Sequence, residues 1–160
     1  MNGSAMTSLD TSVDAGARLV LDSSVLIAYL AADEAVSPVA RVIVDDYVRG
    51  ERNDAVLSTL AVGEILVRPH REGTARSVAF EILDMPGLTI RSVDFLVAAE
   101  AARMRAESSL RLPDAIVLAT GIMAGAMYLV TNDRRLAAVA PAMAPGLRVC
   151  LLSDHVPPAA

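Results

Sequence analysis

The sequence has 160 residues and is 54% hydrophobic but only 3% aromatic, without Trp, a balance that suits helices layered on a parallel sheet better than an aromatic-rich sandwich. Its formal charge of −5 argues against a non-specific grip on polyanions through basic surface, and the single Cys150 excludes an internal disulfide. All 14 basic residues are Arg, so any chemistry that requires a lysine is excluded as well.

Taken in order, residues 1–17 are small, polar and aperiodic and predict a flexible N-terminal tail, part of it ahead of a second start position at Met6. No run has the charged start and long apolar core of a secretion signal, and none is long and apolar enough to cross a bilayer, so a cytoplasmic protein with no membrane partner is expected. Residues 18–22 predict a short buried strand, after which Ser23 or Ser24 caps a helix carrying Val25, Leu26, Ile27 and Leu30. Ser37 and Pro38 mark another helix start, with Val39, Val42, Ile43 and Tyr47 on one face. Residues 54–58 predict the second strand, and Thr59 opens a helix in which Val62, Ile65 and Leu66 surround Glu64 until Pro69 ends or kinks it. A helix over 74–85, a Pro86-Gly87 turn and a third strand over 88–92 follow. Asp94 caps a helix from Phe95 to about Glu107, and a loop leads to Pro113-Asp114 at the head of an apolar helix. Beyond Gly125 a strand runs to Asp133, a short helix carries Leu136 and Val139, and residues 147–152 form the last strand. Residues 18–153 therefore read as one domain and 154–160 as a flexible C-terminal tail.

Strands and helices that alternate in this way call for right-handed crossovers and an α/β fold, with a parallel sheet covered by helices on both faces. Ligands gather outside the carboxyl ends of the strands in such sheets. Asp22 and Asp133 each stand at a strand end and so belong to that rim. A crossover helix runs antiparallel to the strands, which puts its first turns at the same rim. The climb from Asp114 to Gly125 covers roughly 16 Å as a helix, and the return from Met127 to Asp133 roughly 20 Å as a strand. Asp114 and Glu64 thus join the other two, and four acids from four segments converge.

Taken singly, Asp114 and Asp133 suit helix caps or turns, where an acid complements the macrodipole. Asp22 between an apolar strand and an apolar helix, and Glu64 inside an apolar run, are harder to explain as caps. Carboxylates packed together repel, and a hard divalent cation such as Mg²⁺ removes the conflict. One or two such ions activate water for attack on a phosphodiester. The other candidates carry less: His70 and His155 read as solvated, Cys150 as a small core residue, and Asp33-Glu34 and Asp45-Asp46 as solvated helix ends.

The runs Leu21-Asp22-Ser23-Ser24-Val25-Leu26-Ile27, Leu57-Ser58 to Glu64, Asp114-Ala115-Ile116-Val117-Leu118-Ala119-Thr120 and Val130-Thr131-Asn132-Asp133 resemble the four acidic motifs of PIN-domain ribonucleases, particularly VapC-type toxins of bacterial toxin–antitoxin pairs. The resemblance implies a three-layer fold with a five-stranded parallel sheet of order 3-2-1-4-5, and an endoribonuclease that hydrolyses RNA with Mg²⁺, or Mn²⁺ as a substitute. It implies Asp22, Glu64, Asp114 and Asp133 as catalytic metal ligands, with Ser24 and Thr131 as polar supports. It also implies a homodimer and a small antitoxin partner that fills a groove near the site. Arg135-Leu136 departs from the pattern, standing where many relatives have an acid and an aromatic.

Two rival classes are weighed against this. Phosphotransfer enzymes that place an Asp after the first parallel strand rely on a lysine, which this chain lacks. The alternative is a weakly active or inactive module of the same fold that acts by binding its antitoxin-like partner. For that partner, the apolar helices over 25–30 and 39–48 are expected to form a groove for an amphipathic segment.

Overall fold

A computed structural model describes residues 3–159, with side chains from residue 8 onward. Five strands form one sheet: β1 (Leu19–Leu21), β2 (Ala55–Ser58), β3 (Leu88–Arg91), β4 (Tyr128–Thr131) and β5 (Arg148–Leu151). Their order is β3-β2-β1-β4-β5 and every pairing is parallel, as the alternating pattern predicts. The central strand is the first in sequence, so the chain winds outward from β1 in both directions. Where the winding reverses, beside β1 and β4, a crevice opens at the carboxyl ends.

The three inner strands, β1, β2 and β4, are buried on both faces, which explains their near-continuous Val and Leu. Leu19, Leu21, Leu57, Tyr128 and Val130 face one core, built with α2 (Ser23–Ala31), α3 (Ser37–Arg41), a π-helical continuation over Val42–Arg49, α4 (Thr59–Glu72) and α5 (Ala75–Leu83). Val20, Val56 and Leu129 face the other, built with α6 (Phe95–Glu107), α7 (Leu112–Met123) and α8 (Arg134–Met143). The result is three layers.

Helix α7 crosses the sheet closely because Gly121 lets it. A Cβ on Gly121 would lie 2.6 Å from Val20 Cγ1 and 3.3 Å from Leu147 Cδ1, too close for any larger residue. Gly87, at φ +74°, makes the turn into β3, where a Cβ would meet Val48 O at 2.3 Å. Asp94 caps α6 by accepting from Val97 N at 2.9 Å, and Ser58 caps α4 by accepting from Ala61 N at 3.0 Å.

Several expectations are corrected. The segment read as a flexible tail forms a helix, α1 (Gly3–Ser12), and Leu9 and Val13 are fully buried in the first core. Two apolar residues four apart make too short a stripe to stand out among Ser, Thr and Asp, and tertiary packing supplies the stability the local pattern lacks. Met1, Asn2 and Ala160, which also fall in the predicted tails, lie outside the described residues. At the other end, Leu152–His155 forms a 3₁₀ turn, so the predicted C-terminal tail begins only after it.

His155, read as solvated, is buried: its Nδ1 lies 2.7 Å from Ser8 Oγ and its Nε2 3.8 Å from Cys150 Sγ. Burial pushes the imidazole below its ordinary value, and it pushes the Cys150 thiol up to about 12, which makes that thiol a core group. Of the two readings for Pro69, an end or a kink, the end is excluded: α4 continues to Glu72 and closes on Gly73 in the left-handed region. Lastly, Val39, Val42, Ile43, Val44 and Val48 are buried in the core, so the apolar groove expected beside them lies elsewhere.

Candidate active site

Asp22 directly follows β1, and its backbone N donates to Val130 O at 3.0 Å, which seats it beside the end of β4. Its side chain is 6% exposed. A buried carboxylate needs donors, and two hydroxyls supply them: Ser24 Oγ at 2.6 Å and Thr131 Oγ1 at 2.8 Å, both to Oδ2. Those hydroxyls are themselves held. Ser24 Oγ accepts from Asn132 N at 2.9 Å, and Thr131 Oγ1 accepts from Asp133 N at 2.9 Å. A hydrogen-bonded net therefore ties the end of β1 to the loop after β4. Among the described residues no donor reaches Asp22 Oδ1.

Asp133 is the cap of α8, where Oδ1 accepts from Arg135 N at 2.8 Å and Leu136 N at 3.2 Å. Its Oδ2 is left to Arg111, whose Nη2 stands 3.6 Å away. Asp114 lies in the first turn of α7, and its Oδ2 accepts from Arg111 Nε at 3.2 Å. Glu64, half-buried on α4, completes the wall. All four acids line one open cavity of about 210 Å³, together with Ser23, Ser24, Ile27, Glu34, Arg111, Pro113 and Asn132.

Burial pushes the Asp22 carboxyl above its ordinary value of 3.8, and the charges of Asp114 and Asp133 push it the same way, against the pull of its two hydroxyl donors. The cavity thus holds more negative charge than it neutralises. Arg111 is the only cation lining it among the described residues. The hydrogen bond to Asp114 holds the Arg111 guanidinium above its ordinary value, and the charges of Asp114, Asp133 and Glu64 add to that.

The available donors are carboxylate oxygens, without His or Cys, a set that suits a hard oxygen-seeking divalent cation over zinc. Asp22 Oδ1 and the Asp133 oxygen not used in capping fit such an ion. Among the described residues, however, no three His, Cys, Asp or Glu side chains are gathered closely enough to hold a metal as they stand. The acids share a cavity without closing on a point.

Sequence reasoning missed Arg111, Glu34 and Asn132 as lining residues. The first was legible: an Arg three residues before Asp114 on a helix start is at ion-pair spacing. Glu34 lies in the loop between α2 and α3, where no periodicity indicates which way it faces.

The PIN domain family model matches residues 19–141. No curated protein matches the sequence. Among solved structures, the chain is similar to a toxin–antitoxin complex from Klebsiella pneumoniae at 20% identity and a TM-score of 0.63, covering 81% of this chain and 95% of that one. VapC20 of Mycobacterium tuberculosis, a toxin that cleaves the sarcin–ricin loop, gives 17% identity and a TM-score of 0.63, covering 76% and 94%. FitAcB from Neisseria gonorrhoeae gives 20% identity and a TM-score of 0.62, covering 84% and 98%. At these identities the likeness to the three structures establishes the fold.

Proposed function

The chain belongs to the PIN-domain family, and from that premise we propose that it is a VapC-type toxin: a divalent-metal-dependent endoribonuclease of a type II toxin–antitoxin pair, working in the cytoplasm. The observation that carries this reading is the single cavity lined by Asp22, Glu64, Asp114 and Asp133 from four separate segments, with one arginine to balance them. Such a surplus of buried and half-buried charge costs stability unless a cation uses it.

Asp22, Glu64, Asp114 and Asp133 would hold Mg²⁺, with Mn²⁺ able to replace it. When bound, the ion supplies an activated water and a counter-charge for the phosphodiester. Ser24 and Thr131 fix the Asp22 carboxylate through Oδ2, which leaves Oδ1 for the ion. Asp133 is oriented by its capping bonds to α8, so its position is set by the backbone. RNA is the substrate class we assign, on the family resemblance and on the neighbour that cleaves the sarcin–ricin loop.

An apolar groove supports a peptide-like partner. It is lined by Ile27 and Leu30 of α2, Ile65 and Pro69 of α4 and Val78 of α5, with Arg68 and Glu72 at its edge. Ile27 lines both this groove and the acid cavity, so the two adjoin. An amphipathic antitoxin segment laid in the groove would end at the acids. The Klebsiella neighbour is a toxin–antitoxin complex, which favours the same assignment. A homodimer is part of the proposal by family resemblance.

The second reading, a partner-binding module with little nuclease activity, draws on the acids not being closed into a ligand set. One experiment separates the two. Total RNA is incubated with the protein in Mg²⁺ or in chelator, alongside Asp22→Asn, and the cut ends are mapped. Discrete ends that need both Mg²⁺ and Asp22 are expected; cleavage indifferent to both, or none at all, leaves the binding module.

A further inference from the structure

Arg111 is placed where a metal-binding cavity would least want a cation. It is the residue preceding the first turn of α7, in extended backbone at φ −72° and ψ 154°, so its side chain leaves the helix start alongside Asp114. Its Nε is 3.2 Å from Asp114 Oδ2 and its Nη2 3.6 Å from Asp133 Oδ2. One guanidinium thus spans two acids that come from different segments of the chain, α7 and the loop after β4.

The side chain is 65% exposed while its partners are 15% and 27% exposed, so the arginine sits at the mouth and the carboxylates lie inward. Exposed ion pairs of this kind are weak and easily exchanged. A divalent ion brings twice the charge and takes carboxylate oxygens directly. The room for exchange exists, because Arg111 also lines an adjoining cleft with Ser109, Leu110, Arg135 and Leu136.

Resting on the metal-dependent reading above, we propose that Arg111 is a tethered counter-ion that competes with the divalent cation for Asp114 and Asp133, and so sets the affinity of the site. It bridges Asp114 and Asp133 where a divalent cation would take their oxygens. The guanidinium, already at the mouth, would give up the two carboxylates to a bound cation by swinging outward. Arg111 is then a positioning residue, and its effect is on occupancy of the site rather than on the chemistry.

The test is isothermal titration of the full chain with Mn²⁺, using wild type, Arg111→Gln, Arg111→Lys and Asp22→Asn, each checked for folding by circular dichroism. Removing the charge is expected to tighten Mn²⁺ binding about fivefold, the factor that breaking an exposed ion pair costs at most. Arg111→Lys keeps the charge and is expected to stay near wild type. If wild type binds Mn²⁺, Asp22→Asn does not, and Arg111→Gln binds no more tightly than wild type, the counter-ion role is overturned while the metal site stands. If neither wild type nor Arg111→Gln binds Mn²⁺, the metal reading fails and takes this inference with it. Binding by Arg111→Gln alone supports the competition in its strongest form.

Discussion

The two rims of the sheet use the same residue types to opposite ends. At the amino rim three acids have partners of their own: Asp14 takes the Tyr128 hydroxyl at 2.9 Å and Arg148 at 3.2 Å, Asp54 takes Arg18 at 3.6 Å, and Asp10 takes the Tyr47 hydroxyl and Arg52. Arg52 also lies over the Tyr47 ring, 3.9 Å from its centroid. At the carboxyl rim Asp22, Glu64, Asp114 and Asp133 share Arg111. Charge accounting that closes reads as structure, and charge accounting left open reads as a site.

The largest effect expected from this contrast is on catalysis. Asp22→Asn or Asp114→Asn is expected to lower RNA cleavage by about 10²–10³-fold, the scale of removing one preorganised electrostatic group. Asp54→Asn at the amino rim is expected to leave the rate unchanged. Comparable losses from both rims in a single-turnover assay would erase the distinction.

Next in size is the net that holds Asp22. Thr131→Val keeps the shape of a buried side chain but removes a donor to Asp22 Oδ2 and the acceptor for Asp133 N. Mn²⁺ affinity is expected to fall about 10–100-fold, as for other groups that orient metal ligands. Equal affinity in titration would mean that Ser24 alone suffices.

A smaller, pH-dependent effect tests the open charge directly. Asp22 is raised from 3.8 mainly by burial, so the folded chain holds that proton more tightly than the unfolded one. In chelator, the Asp22 contribution to stability is therefore present below the ordinary carboxylate value and lost as pH climbs through the folded value. His155, lowered from 6.5 by burial, works in the other direction and gains stability as pH rises toward 6.5. The difference between wild type and Asp22→Asn in urea midpoints across pH isolates the first term. Asn can still accept from Ser24 and Thr131, so the variant is expected to be the more stable one at neutral pH, and a less stable variant there would refute the assignment.

Much of this contrast is legible in the sequence alone. Alternating apolar strands and capped helices implied the parallel sheet, and a parallel sheet sends strand ends and crossover starts to one rim, which is why four distant acids could be brought together on paper. The partners of those acids were harder. Arg111 stood at readable spacing from Asp114, but its reach to Asp133 depends on how α7 sits over β1, and that is set by Gly121 against Val20. The burial of Leu9, Val13 and His155 came from long-range packing of the chain's two ends, for which neither segment carries a local pattern. The groove found its second wall in α4 and α5 because the apolar face over residues 39–48 was used up by the core.

The smallest effect expected is at the closed rim itself. Tyr128 is buried at the first position of β4, opposite Arg148 at the first position of β5, and its hydroxyl donates to Asp14 while accepting from Arg148 at 3.0 Å. Tyr128→Phe removes one hydroxyl and leaves the ring in place, so the core packing survives. Asp14 and Arg148 remain 3.2 Å apart and are both largely exposed, so each regains water and neither is stranded. The loss should then be that of an ordinary hydrogen bond, about 0.5–1.5 kcal/mol in a denaturant titration. Cleavage and Mn²⁺ affinity should not move, since β4 carries the change at its far end from Thr131. A shift in either would show that the two rims are coupled through β4, and that the closed charges at one end help set the open ones at the other.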